Sequence, residues 1–136
     1  MQILIVDDNE MVRRGLRLLL SSWPAYAICG EASNGKEALA KAQQLQPDLI
    51  LLDISMPGSN GFEIAVAIRR EFPSVKIIIL SQHDKGQLLP RALEAGADAC
   101  IDKNNLSTEL LTTIHGVVGN ARGRGSAIRS DSALRS

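Results

Sequence analysis

Short aliphatic runs alternate along this chain with stretches of helical period. The first run, residues 3–6, has no polar side chain, which predicts a strand that is buried on both faces. In residues 9–21, apolar side chains recur at i, i+4, i+7 and i+8 counted from Val12, as they do on one face of a helix. The chain is therefore predicted to begin with a strand followed by a helix.

The same alternation of strand and helix repeats four more times. The other predicted strands cover residues 26–31, 49–52, 75–80 and 99–101. Asn34 and Asn60 each stand where a helix is predicted to begin, with an acid three residues later, a pattern typical of helix N-termini. The last helix is predicted to end near Val118.

Five strands alternating with five helices predict an α/β fold. Each connection between parallel strands returns right-handed to the sheet, so the strands all point the same way and helices cover both faces. The expected architecture is a flavodoxin-like, doubly wound (βα)5 domain whose five-stranded parallel sheet has the order 2-1-3-4-5. In such sheets ligands bind outside the carboxyl ends of the strands, so the residues that follow each strand are the candidates for function.

Composition and charge divide the chain into two parts. The 136 residues are 45% apolar and 22% charged, which is typical of one globular domain. Residues 1–118 contain 11 basic and 14 acidic side chains, whereas residues 119–136 contain four arginines and one aspartate. The second part is rich in Gly, Arg and Ser and has no apolar period. We therefore expect a domain at residues 1–118 and a flexible tail or linker at residues 119–136.

The sequence shows no sign of membrane insertion or export. No apolar run approaches the roughly 18 residues that a membrane span needs. The N-terminus enters an apolar run without a preceding basic segment and soon reaches Asp7 and Asp8, unlike a signal peptide. We therefore expect a cytoplasmic protein without a membrane partner. Cys29 and Cys100 lie among aliphatic residues without metal-ligand spacing, which predicts buried thiols.

Polar side chains follow four of the five predicted strands. Asp7 and Asp8 follow the first strand, Asp53 the third, Ser81 the fourth and Lys103 the fifth. A single acid after a strand usually only marks a solvated strand end. Polar side chains after four of the five strands are harder to explain in that way. Because the first and third strands are neighbours in the expected order, the three aspartates are predicted to converge.

Converging carboxylates repel one another unless a pKa rises or a cation binds. Carboxylate oxygens at a wet rim suit a small divalent cation that keeps some of its waters, so Mg²⁺ is the expected cofactor rather than zinc. A carboxylate beside such a cation can attack phosphorus and form an acyl phosphate. Ser81 could then donate a hydrogen bond to the phosphoryl group, and Lys103 could pair with it. Without phosphate, Lys103 is expected to form a salt bridge to one of the acids.

Four segments of the chain, taken in order, resemble the receiver domain of two-component response regulators. They are ILIVDDN at residues 3–9, PDLILLDISMPG at 47–58, LSQHD at 80–84 and ALEAGADACIDK at 92–103. The LSQHD segment, together with RALEAGAD at residues 91–98, suggests the LuxR/NarL-type subfamily. The resemblance covers residues 1–118 and rests on all four motifs.

The resemblance implies a role for each acid at the strand ends. Asp53 would be the phosphoacceptor. Asp7 and Asp8 would be the acidic pair that binds Mg²⁺ beside Asp53, and the backbone carbonyl of Ser55 would complete the metal ligands. The strand-end acids would thus serve both the cation and the phosphoryl transfer.

The resemblance also implies a switch and partners. Ser81 would be the hydroxyl switch and Lys103 the partner of the phosphate. The phosphoryl donor would be a histidine kinase, a phosphotransfer protein or a small acyl phosphate, and phosphorylation would favour a homodimer. DNA would be contacted only through an output domain outside this chain. The chain is then either a stand-alone receiver or a fragment that ends in the linker, and the Arg/Ser-rich tail favours the fragment.

Three residues depart from the pattern of the family. Cys100 stands three residues before the lysine, where the family usually has an aromatic side chain that rotates with the switch. Asn104 follows the lysine where many receivers have a cis proline, and a trans bond is expected because a cis bond before a non-proline residue costs about 2.5 to 4 kcal/mol. Pro90 lies within the predicted fourth helix, which is expected to start late, near Leu88 or Leu89, or to be distorted.

Two other classes of protein use a related fold or chemistry. A phosphohydrolase of the haloacid dehalogenase type also forms an aspartyl phosphate with Mg²⁺, but it needs a second acid two residues after the nucleophile, where Ser55 stands. A flavodoxin-like binding module has a Ser/Thr/Gly-rich phosphate loop after the first strand, where this chain has Asp-Asp-Asn-Glu, which repels phosphate. The residues therefore favour self-catalysed phosphoryl transfer and autodephosphorylation over turnover of an external substrate.

Overall fold

The structure, a computed structural model, contains one parallel sheet. It describes residues 1–56, 58, 60–82 and 85–126. The strands are β1 (Gln2–Val6), β2 (Ala27–Ala32), β3 (Leu49–Asp53), β4 (Lys76–Ser81) and β5 (Ala99–Asp102). They all run parallel and lie in the order β2-β1-β3-β4-β5. The predicted fold class and strand order are confirmed.

Within the described residues, five α-helices connect and cover the strands. They are α1 (Glu10–Ser21), α2 (Gly35–Leu45), α3 (Gly61–Glu71), α4 (Lys85–Glu94) and α5 (Leu106–Ser126). Helices α1 and α5 pack on one face of the sheet, and α2, α3 and α4 pack on the other. Both faces are thus covered, which is why every residue of the central strand β3 is buried.

Side chains alternate along each strand between the two cores. In β1, Leu4 and Val6 belong to the core beneath α2, α3 and α4, whereas Ile3 and Ile5 belong to the core beneath α1 and α5. Because all five strands run parallel, their carboxyl ends meet at one edge of the sheet. The polar residues that follow the strands are found at this edge.

Asparagine side chains cap three of the helices. At the start of α2, Asn34 accepts a hydrogen bond from the Glu37 N–H at 2.8 Å, and the Glu37 carboxylate accepts one from the Ser33 N–H at 2.7 Å. Asn9 and Asn60 accept hydrogen bonds from the first turns of α1 and α3 in the same way. The predicted caps at Asn34 and Asn60 are therefore confirmed.

Helix α4 corrects one expectation. It begins at Lys85, five residues before Pro90, and not near Leu88 or Leu89. A proline inside a helix has no N–H to donate, and its ring crowds the carbonyl four residues earlier, although its φ is already helical. Pro90 is exposed, so its ring displaces no side chain of the core. The proline is thus accommodated inside the helix.

Helix α5 extends further than the sequence indicates. The sequence predicts an end near Val118, whereas the helix continues to Ser126 and includes the first part of the Gly/Arg/Ser-rich segment. Once a helix has formed, each added residue gains a hydrogen bond without the cost of nucleation, so the glycines of this segment do not end it at once. Residues 127–136 of the predicted tail lie outside the described residues.

The segment after β5 has a shape of its own. Residues Lys103–Asn105 form a short 3₁₀ helix that is capped by Asp102, whose Oδ1 accepts the N–H of Asn104 at 2.9 Å. No peptide bond between described residues is cis, so the bond before Asn104 is trans, as predicted.

Two further expectations concern burial. Cys100 is buried as predicted, but Cys29 is only half-buried because it lies on β2, at the edge of the sheet; neither forms a disulfide with a described residue. In the part of the chain that the structure describes, no helix is long and apolar enough to cross a membrane.

Candidate functional site

Three aspartates meet at the carboxyl edge of the sheet. Asp7 and Asp8 follow β1, and Asp53 is the last residue of β3. These strands pair with Val6 opposite Leu52, which brings their ends side by side. One carboxylate oxygen of each aspartate lies within 4.8 Å of the other two. The structure thus brings together the three acids that the strand order predicts to converge.

Lys103 reaches the aspartates from the end of β5. Its Nζ lies 2.8 Å from Asp7 Oδ2 and 3.2 Å from Asp53 Oδ1. Asp7 and Asp53 are fully buried, whereas Asp8 is exposed. One ammonium group therefore compensates two buried carboxylates, which is the salt bridge expected for Lys103 when no phosphate is bound.

One oxygen of Asp7 lacks a hydrogen-bond donor. Asp7 Oδ1 accepts the N–H of Asn9 at 2.9 Å. Oδ2 is buried and accepts no hydrogen bond from the described residues, so its contact with Lys103 is an ion pair without hydrogen-bond alignment. A buried carboxylate oxygen that is held only by an ion pair, beside two further carboxylates, is a donor set that suits a hard divalent cation. The residues present therefore fit Mg²⁺.

The environment of Asp53 acts on its pKa in both directions. Burial raises the pKa of Asp53 above its ordinary value, and the nearby charge of Asp7 raises it further. The Ser55 N–H, which donates to Asp53 Oδ1 at 2.9 Å, and the ammonium group of Lys103 lower the pKa, but burial has the largest effect. Positive charge at this edge therefore favours the ionised, nucleophilic form of Asp53.

Two serines stand close to Asp53. Ser81 is the buried last residue of β4, and its neighbour Leu80 lies opposite Asp53 in the pairing of β3 with β4. The hydrogen bond from the Ser55 N–H holds the residue two positions after Asp53 next to the Asp53 carboxylate. The structure thus places both serines at the same edge as the aspartates. The role of the Ser55 carbonyl as a metal ligand stays a prediction.

Cys100 lies inside the core rather than at the surface. It pairs with Ile79 of β4 and packs in the core beneath α2, α3 and α4. Where the family usually has a rotating aromatic ring, this chain therefore has a small buried thiol.

Arg13 is a residue of the site that the sequence reasoning missed. From α1, its Nη1 donates to the backbone carbonyl of Asp7 at 2.6 Å. An arginine six positions after an acid matches no motif, because the contact depends on how α1 returns over the end of β1. The only signal in the sequence is a charged residue in the first turns of the helix that follows the acidic pair.

Comparison with known sequences agrees with this geometry. The response regulator receiver domain family matches residues 3–115. The response regulator protein VraR of Staphylococcus aureus is 37% identical over 113 residues, which cover 83% of this chain and 54% of VraR. The chain thus spans about half the length of the curated relatives it matches.

Solved structures give the same result. A two-component response regulator of the LuxR family from Aurantimonas sp. has a TM-score of 0.82 at 31% identity, with 88% of this chain and 85% of that one covered. A signal receiver domain assigned to the response regulator NarL from Mycobacterium tuberculosis has a TM-score of 0.78 at 30% identity, with 90% and 97% covered.

The fold and the acidic edge with its lysine define the class of protein, a receiver-type α/β domain. The chain belongs to the response regulator receiver domain family of two-component systems. Its relatives support the LuxR/NarL-type subfamily.

Proposed function

We propose that this chain is a phosphorylation-dependent switch in two-component signalling. Asp53 accepts a phosphoryl group from a histidine kinase or phosphotransfer protein in a Mg²⁺-dependent reaction. The phosphorylated domain then acts on a partner or an output domain, and the process regulated is transcription. The observation that carries the proposal is the ammonium group of Lys103 between the buried carboxylates of Asp7 and Asp53 at the carboxyl edge of the sheet.

The chemistry follows from the groups around Asp53. An ionised oxygen of Asp53 attacks phosphorus, and the new O–P bond forms as the bond from phosphorus to the donor nitrogen or acyl oxygen breaks. The bonding electron pair leaves with the donor. The carboxylates of Asp7, Asp8 and Asp53 and the backbone carbonyl of Ser55 would hold Mg²⁺, which would supply positive charge to neutralise the oxygens of the transferred group.

Lys103 and Ser81 bind oxygens of the phosphoryl group once it is on Asp53. Lys103 Nζ is already 3.2 Å from Asp53 Oδ1, so a short movement brings it to a phosphoryl oxygen. Ser81 donates its hydroxyl hydrogen to another phosphoryl oxygen. Lys103 then exchanges its contact with Asp7 for one with the phosphoryl group, and such a difference in contacts is what allows phosphorylation to shift a population between two states.

Intact mass spectrometry tests the phosphoacceptor. With acetyl phosphate and Mg²⁺, the protein is expected to gain one phosphoryl group, and EDTA is expected to prevent the gain. Asp53→Asn should not be labelled, because an amide is a far weaker nucleophile than a carboxylate. Asp48→Asn is the matched control, since Asp48 is exposed at the opposite end of β3. An unchanged mass of the wild type, or equal labelling of Asp53→Asn, would contradict the assignment of Asp53 as the phosphoacceptor.

Turnover of an external phosphate ester is the rival function. A haloacid dehalogenase-type hydrolase needs an acid two residues after the nucleophile, and the hydroxyl of Ser55 is neither charged nor basic at neutral pH. We therefore propose that the chain catalyses only its own phosphorylation and dephosphorylation. Sustained hydrolysis of an aryl phosphate by the purified protein would favour the hydrolase, and flavin absorbance would favour a flavodoxin-like module.

Association is part of the proposal, and the exposed apolar residues favour one face for it. On α1, Met11 and Leu18 are each 68% exposed. Beyond the end of α1, the Trp23 ring contacts His115 of α5 with 5.2 Å between ring centroids, which joins the two helices into one surface. We propose that phosphorylation favours a homodimer through this α1/α5 face. DNA would be contacted only through an output domain outside this chain, and we propose that the protein acts in the cytoplasm.

A further inference from the structure

Arg13 links the acidic site to β2. Its Nη1 donates to the backbone carbonyl of Asp7 at 2.6 Å, its Nε donates to Glu31 Oε1 at 2.9 Å, and its Nη2 contacts the carboxylate of Glu10 at 2.5 Å. Only 16% of the Arg13 side chain is exposed. Because each nitrogen has an acceptor, the planar guanidinium is held in one orientation.

Both polar groups of the Asp7 main chain are therefore held in place. Its N–H donates to the carbonyl of Ala32 at 3.0 Å, and its carbonyl accepts from Arg13. The Asn9 N–H holds the side chain of Asp7 from the other direction at 2.9 Å. Since a peptide unit is planar, fixing the Asp7 carbonyl also fixes the plane that leads into Asp8.

Asp8 depends on this backbone control more than the other two aspartates do. Asp7 and Asp53 are buried and contact Lys103, whereas Asp8 is exposed. An exposed side chain moves between staggered rotamers, so the direction in which its carboxylate points depends first on its backbone. A rotation of the peptide before Asp8 would therefore turn that carboxylate away from the other two.

The charge of Arg13 is compensated close by. A lone cation so near a metal site would repel a divalent cation. However, Arg13 and Arg17 both pair with Glu10 and Glu31, so two positive and two negative side chains form one cluster. Arg13 can thus supply a hydrogen bond to the site without adding net positive charge.

We propose that Arg13 is a positioning residue for metal binding. It holds the carbonyl of Asp7 so that the carboxylates of Asp7 and Asp8 face the same cation, and it contacts neither the cation nor the phosphoryl group. The inference rests on the proposed function in one respect, because it takes Mg²⁺ as the ligand of the three aspartates.

Isothermal titration with Mg²⁺ tests the proposal on the whole chain. The dissociation constant of Mg²⁺ is expected to rise about tenfold in Arg13→Gln, as is common for residues that stand behind metal ligands. Arg13→Lys should recover little, because an ammonium group cannot serve one carbonyl and two carboxylates in a fixed fork. Arg14→Gln is the matched control, because Arg14 is the exposed neighbour with the same charge. Its dissociation constant should equal that of the wild type.

A second measurement separates positioning from a general structural defect. In acetyl phosphate labelling, the Mg²⁺ concentration for half-maximal rate should rise in Arg13→Gln, while the rate at saturating Mg²⁺ is retained. A structural defect would instead lower the rate at every Mg²⁺ concentration, and that result would overturn the positioning role.

The possible failures are distinguishable. A wild type that binds no Mg²⁺ would overturn the proposed metal site itself. Equal Mg²⁺ affinity in wild type and Arg13→Gln would overturn the role of Arg13 and leave the proposed function standing. If Arg13→Gln does not fold, Arg13→Lys is the second variant. It keeps the positive charge but lacks the planar fork, so it should also weaken Mg²⁺ binding, and an unchanged affinity would overturn the inference.

Discussion

Lys103 shares one ammonium group between two buried carboxylates. Its Nζ lies 2.8 Å from Asp7 and 3.2 Å from Asp53, and only 10% of its own side chain is exposed. Burial already raises the pKa of Asp53, so its ionised form needs a positive charge nearby. When no metal and no phosphate are bound, Lys103 therefore serves as the counterion of the site.

Removing this lysine should make stability depend on metal. Lys103→Ala is expected to lower the free energy of unfolding by about 3 kcal/mol in metal-free buffer, because a buried carboxylate is left without its partner. Mg²⁺ should restore part of the loss, since a ligand that binds only the folded state stabilises it. Urea denaturation with and without Mg²⁺ measures both effects, with the exposed Lys36→Ala as the control. A metal-free Lys103→Ala protein as stable as the wild type would contradict the counterion role.

Among the elements, α3 approaches the backbone beside the phosphoacceptor unusually closely. Gly61 is the first residue of α3, and a Cβ at this position would lie 2.2 Å from the Cα of Ile54. Ile54 directly follows Asp53 in the chain. The start of α3 therefore packs against the segment that carries the reactive aspartate, and only glycine permits this contact.

A pair of glycine substitutions tests this packing. Gly61→Ala is expected to lower the free energy of unfolding by about 2 kcal/mol, because the added methyl group meets backbone that cannot move freely. Gly15→Ala, inside α1, should instead raise it by about 0.5 to 1 kcal/mol, because an added Cβ there meets no atom within 4 Å and alanine favours the helix. Urea denaturation measures both. A Gly61→Ala protein at least as stable as the wild type would argue against the close approach of α3.

For the whole molecule, the face that forms the homodimer is the property that would affect how partners bind. Thr112 of α5 is exposed, whereas its neighbour Thr113 is half-buried, so Thr112 is the better probe of the α1/α5 face. On the other side of the sheet, the exposed Arg91 of α4 lies over the Phe62 ring with 4.3 Å between its Cζ and the ring centroid. These two positions therefore report on different faces.

Thr112→Glu is expected to weaken the phosphorylated dimer by about tenfold or more, because an unpaired charge would be buried in the interface. Arg91→Glu should leave it unchanged. Sedimentation equilibrium after treatment with acetyl phosphate and Mg²⁺ measures both dissociation constants. If Arg91→Glu disrupts the dimer and Thr112→Glu does not, the interface lies on α4 instead.

The order of the elements and the acidic edge could be predicted from the sequence because their signals are local. A strand buried on both faces is a run of aliphatic residues, and a capped helix begins with Asn and an acid. Parallel strands bring their carboxyl ends to one edge, so Asp7, Asp8 and Asp53 could be expected to converge once the strands were placed. Each of these inferences uses only neighbours along the chain and the general geometry of the sheet.

Other features were decided only by the tertiary structure. The contact of Arg13 with the Asp7 carbonyl depends on the path of α1 over the end of β1. The need for glycine at position 61 depends on how closely the start of α3 approaches Ile54, and α4 begins before Pro90, whose ring is exposed. None of these leaves a periodic or spaced pattern in the sequence, because each arises where separately formed elements pack against one another or against water.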